Sequence, residues 1–181
     1  MDTTELMSDA PRTTTGIIVG NPKPKSRTYT AAQVVVEQLT GAPPDFALDL
    51  SEFGAGLLDW ADADVSTAVE QVKAARLIVV ASPTFKATYT GLLKLFLDRF
   101  GAGSLAGVVA IPLQLGGNWR HSLAPEVFLK PVLAEIGAST PTRGLYLLDS
   151  DAGDDPAAGF AASPTLAEWL AVARLQLPAS G

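Results

Sequence analysis

The chain reads as an α/β fold: one five-stranded parallel sheet, strand order 2-1-3-4-5, with helices on both faces. Three observations predict it. Short runs rich in Val, Ile and Leu recur along the chain, each bounded by Gly, Pro or polar residues. Segments of helical length separate these runs, and strand alternating with helix is the pattern of a parallel sheet. The apolar fraction, 48% of 181 residues, is enough to bury a core within one domain.

Residues 16–20, GIIVG, form the first strand. The following loop, 21–28 (NPKPKSRT), carries two prolines and is not helical. A helix then runs from Thr28 and stops at Gly41, a C-terminal breaker. Residues 46–50 make a weaker second strand, 51–60 are irregular or a short helical turn, and 62–75 form a helix capped by Asp62 or Asp64. The third strand, 77–80 (LIVV), is the most apolar and runs into a polar turn at 81–86 (ASPTFK) and an apolar helix at 90–100. The fourth strand, 108–113, is interrupted near its end by Pro112 and leads into GGNWRH at 116–121. A helix at 125–136, a last strand around 144–148, an acidic loop at 149–159 and a final helix at 164–175 complete the alternation.

In the order 2-1-3-4-5, strands 1 and 3 are neighbours whose connections leave on opposite sides. A crevice opens at their carboxyl ends, where such sheets take ligands. Loops 21–28 and 82–89 wall it, and 116–121 closes the third side, so the three unusual loops converge.

Bulk composition removes several function classes. The net charge of −6 opposes nucleic-acid binding, which needs a basic stripe. No Cys means no disulfide framework, thiolate metal site or Cys nucleophile, and the single His121 leaves no spare parts for a His-built metal site or triad. Residues 1–15 are polar without an apolar h-region, so they do not read as a signal peptide. Residues 1–13 are expected to be a disordered tail ahead of a single domain at 14–181. No run approaches 18 apolar residues, so no membrane span is expected and the location is taken as cytoplasmic.

In the first loop, Ser26, Arg27 and Thr28 stand at a helix N-terminus, where free N–H groups, two hydroxyls and a guanidinium suit a phosphate. The plainer reading makes Ser26 or Thr28 an N-cap and leaves Arg27 solvated. The spacing Gly20-x-x-x-x-Lys25-Ser26 only superficially matches a P-loop: Pro24 stands where the glycine before the Lys is needed, and no G-x-G-x-x-G is present. In the second loop Pro83, Thr84, Phe85 and Lys86 offer a rigid backbone, a hydroxyl, an aromatic edge and a cation, which suits a flat heterocycle with polar edges. The plainer alternative is a tight turn with Phe85 in the core. In the third loop Gly116 and Gly117 permit close backbone approach, with Trp119 and His121 at the border, although Gly-Gly also serves as a simple turn. The acidic cluster Asp149, Asp151, Asp154 and Asp155 lacks EF-hand spacing and reads as a solvated loop, not a metal site.

Taken together, GNPKPKSRT, SPTFKATYTGLLKLFLD and LGGNWRHSLAPEVFLKPVL resemble the flavodoxin-like NADPH-dependent FMN reductases. The nearest likeness is to those that supply reduced flavin to two-component sulfonate monooxygenases. It spans residues 16–148. The resemblance implies a flavodoxin-like fold and hydride transfer from NADPH to FMN. It implies that Ser26, Arg27 and Thr28 hold the FMN phosphate. Pro83, Thr84, Phe85 and Lys86 would then line the isoalloxazine, with Gly116, Gly117 and Asn118 on its other edge. No protein acid–base residue is expected, because the flavin carries the chemistry; Lys86 or backbone N–H groups would stabilise its reduced charge. Asn21 stands where the family commonly has Ser. Val127 stands where the sulfonate-system members have a Tyr associated with a helix bulge and with passing flavin on. That departure leaves room for tightly held FMN. The alternatives are therefore an FMN-bound quinone, azo-dye or metal-ion reductase and a non-catalytic flavodoxin-like FMN carrier. Arg120 is a candidate partner for the 2′-phosphate that distinguishes NADPH from NADH. The resemblance also implies a homodimer or homotetramer, and the many-sided apolar helix at 90–100 points the same way.

Overall fold

A computed structural model describes residues 14–177. The tail expected at 1–13 lies outside the described residues. Five parallel strands form one sheet in the order β2-β1-β3-β4-β5: β1 (Thr15–Val19), β2 (Phe46–Asp49), β3 (Leu77–Pro83), β4 (Val109–Gly116) and β5 (Leu145–Leu148). Among the described residues six α-helices accompany them: α1 (Arg27–Thr40), α2 (Ala63–Lys73), α3 (Gly91–Leu97), α4 (Lys130–Glu135), α5 (Pro156–Ala161) and α6 (Pro164–Gln176).

Alternating strand residues build two cores, because successive side chains point to opposite faces. Ile18, Ile78, Val80 and Ala110 pack under α2, α3 and α4. Ile17, Val19, Val79, Ile111, Leu113 and Leu147 pack under α1, α5 and α6. All seven residues of β3 are buried, as its central position requires.

Several boundaries differ from expectation. β3 continues through Pro83, and β4 through Gly116, because their registers run on together from Val80↔Pro112 to Pro83↔Leu115. Pro112 is tolerated because β5 pairs with β4 only from Leu113 onward, so one side of the strand has no ladder there. The apolar helix is shorter than 90–100: Thr90 caps it, α3 covers Gly91–Leu97, and Phe100 lies beyond its end. The segment read as an acidic loop holds a further short helix, α5, capped by Asp155, while Asp151 accepts from the Ser163 hydroxyl at 3.0 Å.

The helix expected at 125–136 is in two parts. Pro125–Leu129 is a π-turn, closed by the Lys130 N–H donating to the Pro125 carbonyl, and α4 follows. Pro131 supplies the physical reason: it has no N–H for the Val127 carbonyl, and its ring would crowd that carbonyl in a regular helix. The widened turn is thus present with Val127 inside it. Gly144 lets β5 begin against this turn, since a Cβ there would sit 2.8 Å from the Glu126 nitrogen.

The apolar sides of α3 are mostly consumed within the chain. Leu93, Phe96 and Leu97 are buried, and Phe96 stacks on Phe53 from the 3₁₀ turns that follow β2, with ring centroids 6.4 Å apart. Leu95 is its exposed apolar residue.

Candidate functional site

Three loops leave the carboxyl ends of β1, β3 and β4, and hydrogen bonds tie them to one another. The Gly20 N–H donates to the Ala81 carbonyl at 2.8 Å, and the Thr90 hydroxyl donates to the Gly20 carbonyl at 2.6 Å. The Thr84 N–H donates to the Leu115 carbonyl at 2.7 Å, joining the second loop to the third.

The first loop is shaped by two side chains. Asn21 accepts from the Lys23 N–H at 2.9 Å and donates to the Thr28 hydroxyl at 3.0 Å. Buried Asp49, at the end of β2, accepts the Lys25 N–H at 2.8 Å and the Ser51 hydroxyl at 2.7 Å. It thereby holds Lys25 in the left-handed region, φ 47°. Ser26 is the N-cap of α1, its hydroxyl accepting from the Tyr29 N–H. The cap leaves the N–H groups of Arg27 and Thr28 without intrahelical partners. Thr28 is buried and engaged by Asn21, while Arg27 is exposed. Lys25 turns outward instead, its ammonium 4.4 Å from the Tyr29 ring centre and 3.5 Å from Glu52.

The second loop contains a two-residue turn. The Phe85 N–H donates to the Thr88 carbonyl at 2.8 Å, and Lys86 and Ala87 both have positive φ, 52° and 72°. This is the geometry of a I′ turn built without glycine. Phe85 is 52% exposed, so it is an aromatic rim and not a core residue; Lys86 is exposed beside it. Pro83 is buried as the last residue of β3. The Ser82 hydroxyl accepts from the Thr90 N–H at 3.0 Å and donates to the Pro83 carbonyl at 2.8 Å, bracing the loop from beneath. Gln114, fully buried in β4, supports it from the other side when its amide oxygen accepts from the Tyr89 N–H at 2.9 Å and its nitrogen donates to the Ala124 carbonyl at 3.2 Å.

In the third loop Gly116 is buried, and Gly117 and Asn118 are exposed. A Cβ on Gly116 would fall 1.9 Å from the Tyr146 phenol oxygen, so only glycine fits. That phenol donates to the Asn118 carbonyl at 2.9 Å, fixing the loop to β5. Burial pushes the Tyr146 hydroxyl above its ordinary pKa, with a smaller opposing effect from the Thr84 hydroxyl and a further upward push from Asp149. The phenol therefore stays a proton donor at neutral pH. Trp119, half exposed, tilts against the Tyr146 ring at 5.9 Å. His121 lies in the 3₁₀ turn Trp119–His121.

All ten residues singled out from the sequence thus lie in these joined loops or at the strand and helix ends that bound them. They supply free N–H groups and a cation at one end, and glycine backbone and aromatic rims at the other. The Thr84 hydroxyl oxygen is buried and makes no hydrogen bond of good geometry; the Tyr146 phenol is its polar neighbour. A phosphate-bearing ring with polar edges fits this donor set. The bracing residues Asp49, Ser82, Gln114 and Tyr146 were not legible as site residues; their signal was a polar group at or near the end of an apolar strand.

The family model for NADPH-dependent FMN reductase matches residues 13–153. Among curated relatives, an FMN reductase (NADPH) of Escherichia coli is 33% identical over 141 residues, covering 76% of this chain and 74% of the relative. The NADH-dependent FMN reductase SfnF of Pseudomonas putida is 32% identical over 138 residues, covering 72% and 74%. Among solved structures, the apo form of the NADH:FMN oxidoreductase EMOB aligns with a TM-score of 0.75 and 29% identity, over 91% of this chain and 90% of that one.

Proposed function

This chain belongs to the NADPH-dependent FMN reductase family, and from that premise we propose that it transfers hydride from NADPH to FMN within the three-loop cleft. The observation that carries the reading is the joined loop set: a helix N-terminus with open N–H groups beside Arg27, the Phe85–Thr88 turn, and glycine backbone at Gly116 and Gly117.

In this reading the N–H groups of Arg27 and Thr28, with the Arg27 guanidinium, hold the FMN phosphate against the positive end of α1. Ser26 keeps that end open by capping only Tyr29. Pro83 and the Phe85–Thr88 turn set the ring plane, and Thr84, partly buried between them, lies beside a polar edge. Gly116, Gly117 and Asn118 admit the opposite edge, and Lys86 and nearby N–H groups face the charge that reduction develops. Bound flavin supplies the hydride-accepting ring, with the proton coming from solvent. The protein's own contribution is orientation and water exclusion, so no side chain need act as acid or base.

Further parts of the proposal concern surroundings. Reduced flavin passes to a flavin-dependent monooxygenase, as in the systems that the resemblance names. The chain works as a homodimer or homotetramer in the cytoplasm, through exposed Leu95, Val127 and Phe128. Among the described residues no helix is long and apolar enough to cross a membrane.

The test is NADPH oxidation followed at 340 nm with and without added FMN, after recording the visible spectrum of the purified protein. Colourless protein with FMN-dependent turnover is expected. Yellow protein that turns over only with a quinone, a dye or a metal ion would move the assignment to the bound-flavin reductases. FMN binding without NADPH oxidation would make it a carrier. Neither binding nor turnover would overturn the reading of the loops.

A further inference from the structure

Beside β5 lies a cleft of about 240 Å³ that the flavin reading leaves unused. It shares a wall with the flavin loop: Trp119 follows Asn118 directly, and Tyr146, which holds the Asn118 carbonyl, lies behind it. Trp169 forms another wall, and its indole N–H donates to the Arg143 carbonyl at 2.7 Å, so ring and residue are pinned together. Trp119 is 49% exposed.

The charges in this cleft are unequal in their commitments. Glu126 accepts from the Gly144 N–H at 2.7 Å and from the Lys130 ammonium at 2.9 Å. Both carboxylate oxygens are thereby engaged, and Lys130 balances the charge. Arg143 is exposed, and among the described residues its guanidinium makes no hydrogen bond or ion pair. The charge of Arg143 acts on Glu126, but its hydrogen-bonding fork is open, and the exposed indole and Ser122 line the same cleft. An aromatic surface beside a guanidinium with no hydrogen bond of its own suits a purine carrying a phosphate: the ring stacks, and the fork takes two phosphate oxygens. The space accommodates a nucleoside-sized group, not a whole dinucleotide.

We propose that this cleft receives the adenosine 2′-phosphate end of the nicotinamide donor, with Arg143 gripping the phosphate and Trp119 stacking on the adenine. The proposal rests on the reductase reading above and gives Arg143, not Arg120, the part of discriminating NADPH from NADH. Arg120 is exposed in the 3₁₀ turn after Asn118, whose side chain holds its backbone N–H at 3.0 Å.

The decisive experiment is calorimetric titration of the whole protein with 2′,5′-ADP and with 5′-ADP, repeated on Arg143→Gln and Arg143→Lys. We expect 2′,5′-ADP to bind about tenfold or more tightly than 5′-ADP, and Arg143→Gln to erase that difference. Arg143→Lys keeps the charge but loses the fork and is expected to fall between. In turnover, Arg143→Gln should lower the ratio of kcat/KM for NADPH to that for NADH about tenfold, through KM and not kcat. Equal binding of the two nucleotides, or a ratio that Arg143→Gln does not move, would overturn the proposal. Failure of FMN binding and of all turnover would instead overturn the reductase reading, and the titration would still decide for or against the cleft.

Discussion

Arg27 carries a charge at the open end of α1 that no ion pair among the described residues meets, and its effect should depend on the flavin's phosphate alone. Arg27→Gln is expected to weaken FMN binding about tenfold or more while leaving riboflavin binding unchanged, as read by flavin fluorescence quenching. Equal weakening of both would mean that the loop had collapsed and not that a phosphate contact was lost. Thr90 does three things at once: it caps α3 through the Leu93 N–H, donates to the Gly20 carbonyl and holds Ser82 through its own N–H. Thr90→Ala should cost about 2–3 kcal/mol in urea unfolding, the sum of a lost cap and a buried carbonyl left bare. Glu126 makes a pH-dependent contribution. Burial alone would raise its pKa, but the Gly144 N–H, Lys130 and Arg143 together hold it below the ordinary 4.5. A depressed carboxylate stabilises the fold above that ordinary value, and the contribution disappears as pH falls through the folded value. Glu126→Gln should therefore be less stable than wild type at pH 7, with the gap closing in acid; a gap constant with pH would show that the carboxylate charge is irrelevant.

The elements were legible to different degrees for separable reasons. β3 and its helix follow from an apolar run and a Thr cap, signals local to a few residues. The extension of β3 and β4 to Pro83 and Gly116 was not local, because it depends on the two strands pairing with each other. The π-turn at Pro125–Leu129 follows from Pro131, yet a proline in a helical pattern announces a break or a kink without saying which. The short helix α5 hid among acidic residues because Asp155 reads equally as loop and as cap. The Lys86–Ala87 turn hid because neither residue advertises positive φ. That turn stores strain, and Ala87→Gly should raise stability by about 1 kcal/mol in chemical denaturation. No gain would show that the turn is not held in the left-handed region in solution.

At the scale of the whole molecule, α3 and the π-turn both leave apolar side chains exposed: Leu95, Val127 and Phe128 are 37%, 52% and 47% exposed. Self-association through these side chains predicts a solution mass above one chain by light scattering, and a shift to monomer in Val127→Lys/Phe128→Lys. A monomeric wild type would overturn it. α3 spends Leu93, Phe96 and Leu97 on the chain's own core, so only part of its apolar pattern is left for a partner. The sequence by itself determined the alternation of strands and helices, the strand order and the three loops, since each follows from short-range periodicity, from proline and glycine, and from the packing rules of parallel sheets. It also carried the family resemblance, because those loops are contiguous stretches. Only the tertiary structure decided what braces the loops. Asp49 reaching Lys25, Thr90 reaching Gly20 and Tyr146 reaching Asn118 join residues 24 to 70 positions apart. Contacts at such separations are set by how the sheet brings strand ends together, and no local pattern encodes them.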